Sequence, residues 1–116
     1  MRHALTDLQI FKAEFFRALA HPVRIRILEE LRRGPLSVHA LQQALGLDQP
    51  TVSQQLAVLR AKNLVTVSKS RTSAYYSVRD PLIHDLLMTA RAIFNNRLVD
   101  TQTMLKELAR ERRRAS

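Results

Sequence analysis

Few residues in this chain can stop a helix, and their positions cut it into a fixed series of segments. The two glycines and four prolines fall at Pro22, Gly34-Pro35, Gly46, Pro50 and Pro81, and none follows Pro81. Proline cannot continue a helix from within, and the residue before it avoids helical geometry, so each of these points ends one element or opens the next. The spacing therefore predicts several short helices followed by one long, unbroken one.

The apolar residues supply the faces of those helices. From Leu5 to Ala20, Leu8, Phe11, Phe15 and Leu19 recur at steps of three and four, with Lys12, Glu14 and Arg17 between them; this is an amphipathic helix. His21-Pro22 interrupts it. A second helix is expected from Pro22 to about Arg33, burying Val23, Ile27, Leu28 and Leu31, and Gly34-Pro35 stops it. Ser37 suits the cap of a third helix carrying Val38, Leu41 and Leu45, which Gly46 ends in a left-handed conformation. Leu47 is expected to plug the turn. Asp48 then caps a fourth helix, with Pro50 in its first turn and Val52, Leu56 and Leu59 on its inner face. Thr51, Ser53, Gln54 and Gln55 occupy the outer face. A short helix, a tight glycine turn and a second helix with small polar residues outside describe a helix-turn-helix.

Beyond Asn63, residues Leu64 to Lys69 and Ala74 to Val78 are rich in valine, threonine and tyrosine, and Ser70-Arg71-Thr72-Ser73 separates them. They read as a β-hairpin, and because its loop lacks glycine, a connection longer than two residues is expected. Asp80-Pro81 opens the last helix, whose apolar residues include Leu82, Leu86, Ile93, Phe94, Leu105 and Leu108. The predicted fold is mainly α with a small β-hairpin, a winged helix-turn-helix in the order α-α-α-α-β-β-α, forming a single domain over 1–116. The stripes of residues 5–20 and 80–109 are hard to bury within so small a monomer, which suggests dimerisation helices. Residues 110–116, with Arg110, Arg112, Arg113 and Arg114, are expected to form a disordered basic tail.

Composition narrows the function. Nineteen lysines and arginines against ten acidic residues give a formal net charge of +9, which favours a polyanionic partner such as double-stranded DNA. No cysteine is present, so disulfides, thiolate metal sites and thiol catalysis are excluded together. No membrane span or signal peptide is read, and a cytoplasmic location is expected. An enzyme is not expected: there is no glycine-rich phosphate loop, and His84-Asp85 are the one close histidine and carboxylate pair. The alternatives are a non-specific nucleoid or RNA-binding protein and an interaction module whose last helix binds another chain. Single-stranded RNA binders commonly use an aromatic stacking surface, whereas this hairpin offers only Tyr75 and Tyr76.

At this level of detail the chain resembles the ArsR/SmtB family of bacterial winged-helix repressors. The resemblance rests on Leu19-Ala20-His21-Pro22-Val23-Arg24-Ile25-Arg26-Ile27-Leu28, on Gln49-Pro50-Thr51-Val52-Ser53-Gln54-Gln55-Leu56, on Leu59-Arg60 with Leu64-Val65, and on Tyr75-Tyr76. It implies a homodimer joined by the first and last helices, a fourth helix in the major groove of a palindromic operator, and a wing against the neighbouring backbone. Gln49, Thr51, Ser53, Gln54 and Gln55 have the chemistry to read base edges, since amides pair with adenine and hydroxyls serve several bases. Lys69 and Arg71 are placed to meet phosphate. Arg24 and Arg26 stay open between phosphate contact and a surface ion pair.

The resemblance also implies metal-controlled release from DNA, but the residues depart from the family's ligand sets. A cysteine pair in the third helix is replaced by Ser37 and His39. In the last helix Asp80 fits the first ligand position, while Leu82, Ile93 and Asn96 fall on the others. His84, one turn after Asp80, offers a shifted ligand. A further candidate is Met1-Arg2-His3, because a free amine followed two residues later by histidine chelates nickel(II) or copper(II) through four nitrogens. Nickel or another divalent transition metal, held by Met1 and His3 or by Asp80 and His84, is the expected effector. The alternative is control by a small organic ligand or a protein co-regulator.

Overall fold

A computed structural model describes residues 6–115. Its elements are α1 (Asp7–Leu19), α2 (Pro22–Glu30) with a 3-10 turn over Leu31–Arg33, α3 (Val38–Leu45), α4 (Gln49–Ala61), β1 (Val65–Ser70), β2 (Ser73–Val78) and α5 (Leu82–Ala115). This is the expected order of a winged helix-turn-helix. The chain divides into two compact units, one ending at Pro81 and one beginning at Leu82.

Local chemistry fixes each boundary in the first unit. Thr6 opens α1 with a capping box, its hydroxyl accepting from Gln9 N–H at 3.3 Å while the Gln9 side chain accepts from Thr6 N–H at 3.0 Å. His21 is more than a spacer: its Nδ1 accepts from Val23 N–H at 3.1 Å and so caps α2. Ser37 accepts from Ala40 N–H at 3.1 Å to cap α3, and Gly46 ends that helix at φ 69°. Leu47, expected to plug the turn, is 37% exposed. Backbone bonds from Gly46 and Leu47 N–H to the Gln42 carbonyl, at 2.8 and 3.3 Å, close the turn without it.

The core lies between α2, α3, α4 and the start of β1. Ile27, Leu28, Leu41, Val52, Leu56, Leu59, Leu64 and Val65 are all buried, each contributing roughly 1.5–3 kcal/mol on transfer from water. At its C-terminal end α4 finishes in a Schellman motif: Leu64 N–H donates to the Leu59 carbonyl at 2.9 Å and Asn63 N–H to that of Arg60 at 3.0 Å, with Asn63 at φ 60°. Leu59 and Leu64 are buried, supplying the apolar contact that accompanies such ends. The exit direction of α4 and the start of the hairpin are thus set together.

The wing is an antiparallel pair with Val65 opposite Val78 and Ser70 opposite Ser73. Only Arg71 and Thr72 connect the strands, which corrects the expectation of a longer loop. Arg71 supplies the positive φ, 57°, that the tight turn needs. Leu36 exchanges two backbone bonds with Tyr76, at 3.0 and 2.8 Å, tying the hairpin to the segment before α3.

The second unit is α5 alone, 34 residues and about 50 Å long at 1.5 Å per residue. It runs to Ala115, so residues 110–115, expected as a disordered tail, are helical. Glu107 and Glu111 interleave with Lys106, Arg110 and Arg112–Arg114 there, and mixed charges at helical spacing support a solvated helix. No described helix is long and apolar enough to cross a membrane.

Candidate nucleic-acid interface

The face of α4 follows from its buried stripe. With Val52, Leu56 and Leu59 turned inward, a rotation of about 100° per residue puts Gln54 opposite the core, Gln49 and Ser53 on one flank, and Thr51 and Gln55 on the other. Gln49 and Gln54 are exposed; Thr51, Ser53 and Gln55 are half-buried. Gln49 Nε2 donates to Ser53 Oγ at 2.8 Å, joining two predicted reading residues across one turn. The five therefore spread over both flanks of the outer surface instead of forming one row.

The helix start is held by Asp48, whose carboxylate accepts from Thr51 N–H at 2.8 Å. Hydrogen bonding from the Thr51 side chain and backbone lowers the Asp48 pKa below the ordinary carboxylate value. Ionised Asp48 also complements the positive end of the helix dipole.

Sequence reasoning passed over the flank shared by Ser53 and Arg60. These two residues, with Leu56, Ala57, Ala61 and Tyr76, line a groove of about 430 Å³ between α4 and β2. The spacing of Ser53, Ala57 and Arg60 at steps of four and three was legible. That Tyr76 would form the opposite wall was not, because the hairpin register decides it.

Lys69 and Arg71 are exposed on the wing, roughly 15–20 Å along the strand from Leu64. The two undecided arginines separate. Arg26 pairs with Glu30 at 3.3 Å and reaches the Ala44 carbonyl at 3.5 Å, whereas Arg24 has its Nε out of solvent contact and without a hydrogen-bond partner.

Met1 and His3 lie outside the described residues. Among the described residues no group of three or more histidines and carboxylates is close enough to hold a metal ion, so Asp80 and His84 gain no third ligand from them. His39 is an exposed position on α3.

Comparison with known proteins matches residues 19–68 to a family described as a helix-turn-helix domain. Rv0081, an HTH-type transcriptional regulator of Mycobacterium tuberculosis, is 42% identical over 98 residues, covering 84% of this chain and 86% of that protein. Its crystal structure superposes with a TM-score of 0.76 at 41% identity, over 83% of this chain and 97% of that one. The transcriptional repressor SmtB of the same organism is 40% identical over 79 residues, 68% of this chain and 58% of that protein. Mb0332 of Mycobacterium bovis, described as the homodimeric winged helix-turn-helix DNA-binding domain of a possible ArsR-family transcriptional regulator, superposes with a TM-score of 0.69 at 26% identity, over 81% and 91% of the two chains. With its capped recognition helix, its wing and relatives this similar over most of their length, the chain belongs to the ArsR/SmtB family of winged helix-turn-helix DNA-binding transcriptional regulators.

Proposed function

We propose that this chain is a homodimeric repressor that reads a palindromic operator through α4 and grips the flanking backbone through its wing. The observation that carries this is the outer surface of α4, polar and free of large apolar groups, followed in the chain by a wing with exposed Lys69 and Arg71. A helix of this kind fits a major groove, where Gln49, Thr51, Ser53, Gln54 and Gln55 would meet base edges, while cations on a hairpin meet phosphate. The repressor SmtB supports the direction of control. A protein of this class acts in the cytoplasm, where it meets DNA.

Dimerisation is supported by exposed apolar surface. Leu8, Phe11 and Phe16 on α1 are each more than half exposed, as are Phe94, Leu98, Leu105 and Leu108 on α5. Apolar area on this scale is costly in water and marks a surface that another chain covers. The homodimeric Mb0332 makes a second copy the natural occupant, and two reading helices related by a two-fold axis would match two operator half-sites. A molar mass equal to the monomer at micromolar concentration, by light scattering, would overturn this part.

The reading surface is tested by paired substitutions. Ser53→Ala with Gln54→Ala should weaken operator binding more than binding to random duplex, good base contacts being worth roughly 1–3 kcal/mol each in discrimination. Lys69→Ala with Arg71→Ala should weaken both duplexes and lower the salt slope by about 0.9 for each phosphate that is no longer neutralised. Equal losses from the two pairs would show that the reading surface is wrongly assigned. A response to nickel or another divalent ion through Met1 and His3 rests on ligand chemistry alone.

A further inference from the structure

We propose that the cleft where α1, α2 and the end of α4 meet is a binding site for a small tetrahedral oxyanion, of the phosphate or phosphomonoester kind. The cleft has a volume of about 260 Å³ and is lined by Glu14, Arg17, Ala18, Arg24 and Lys62. Three cations thus face one carboxylate. That volume lies below the range of drug-sized ligand pockets and suits a single phosphoryl head with a short organic remainder.

The cations have no partner among the described residues. Among the described residues the side chains of Glu14, Arg17, Arg24 and Lys62 make no hydrogen bond or ion pair, and the Arg24 Nε is both out of solvent contact and unpartnered. Arg24 Nε is closed off from the cleft, so the outer guanidinium nitrogens of Arg24, together with Arg17 and Lys62, are the groups offered to an anion, which would bind them by charge-assisted hydrogen bonds. Arg24 also stands in the first turn of α2, where a cation opposes the helix dipole and gains nothing from its own helix.

Neither helix capping nor the DNA backbone accounts for these charges as well. Arg17 in the last turn of α1 and Lys62 at the end of α4 complement helix dipoles, but a role in capping carbonyls would leave hydrogen bonds to them, and none is made. A DNA phosphate is a poor occupant, because Lys62 lies about 20 Å along α4 from Gln49, at the end remote from the predicted reading turn. An anion here would join α1 to the end of the recognition helix. The site does not depend on the proposed operator contacts and is testable without DNA.

The experiment is titration of the isotopically labelled full chain with sodium phosphate, against sodium chloride at matched ionic strength, following backbone amide resonances. Saturable shifts at Arg17, Arg24 and Lys62 in phosphate alone are expected. Lys62→Gln should raise the Kd about three- to tenfold, and Glu14→Gln should lower it, because the carboxylate repels the anion. Both residues are exposed, and thermal melts confirm that the variants fold. Equal shifts in chloride, or a Kd that neither substitution moves, would overturn the site. Loss of DNA affinity in Lys62→Gln without phosphate binding in the native chain would likewise overturn it, giving the cleft to the DNA backbone.

Discussion

Replacing Arg71 by glycine should make the protein more stable and its DNA binding weaker, two effects that separate cleanly at one position. Arg71 has φ 57° in a two-residue hairpin turn, a conformation that costs a side-chain-bearing residue about 1–2 kcal/mol. Glycine removes that cost but gives the unfolded chain back roughly 0.4–1 kcal/mol of conformational freedom. The net gain is about 0.5–1 kcal/mol, or a rise in Tm of roughly 2–4 °C for a chain of this length. The Arg71 side chain has no hydrogen bond or ion pair among the described residues, so its removal breaks no internal bond. Releasing one phosphate per subunit, two per dimer, should reduce the salt slope by about 1.8 for operator and random duplex alike. Arg71→Ala is the control, since it removes the charge and keeps the strained backbone: it should bind DNA as the glycine variant does without the gain in Tm. Melting by circular dichroism and fluorescence anisotropy across a salt series read the two effects. Equal Tm values for the alanine and glycine variants would refute the strain argument, and an unchanged salt slope would remove Arg71 from the residues that grip phosphate.

Asn63, at φ 60° in the Schellman end of α4, should tolerate glycine with equal or higher stability, whereas Asn63→Val should cost about 1–2 kcal/mol in denaturant melts, because a β-branched residue fits the left-handed region worst. Leu56→Ala, at a side chain 1% exposed, should cost about 2–5 kcal/mol by the same melts. Asp48 has a lowered pKa through its bonds to Thr51; its support for the start of α4 is therefore fully present above its unfolded pKa, near 4, and is lost as pH falls through the lower folded value. Amide exchange in the first turn of α4 should show that loss in the native chain and not in Asp48→Asn. For the metal reading, nickel(II) should change operator affinity in protein with a free Met1 amine and not in His3→Ala; an unchanged affinity in the native chain would leave Met1-Arg2-His3 an incidental chelator, and a response surviving His3→Ala would move the sensor to Asp80 and His84.

The helix order, the caps at Ser37 and Asp48, the left-handed Gly46 and the inner stripe of α4 could all be read before any coordinates, because each depends on residues within four positions of one another. The same local rules identified the outer polar residues of α4 and the cations of the wing. Where expectation and structure parted, a non-local or compensating interaction had won. The hairpin turn closed in two residues because strand pairing from Val65 to Val78 outweighed the strain at Arg71. Leu47 was left outside because backbone bonds to Gln42 had already closed its turn.

The sequence by itself determined the kind of protein: breaker positions, apolar periodicity and net charge leave a winged helix-turn-helix for a polyanion, since these are one-dimensional quantities. Only the tertiary structure decided which surfaces face one another. It set Tyr76 against Ser53 and Arg60, hooked Leu36 onto the hairpin, and gathered Arg17, Arg24 and Lys62 into one cleft from three separate helices. Spacing along a chain fixes the face on which a side chain lies, but the neighbour across a gap is fixed by the packing of other elements.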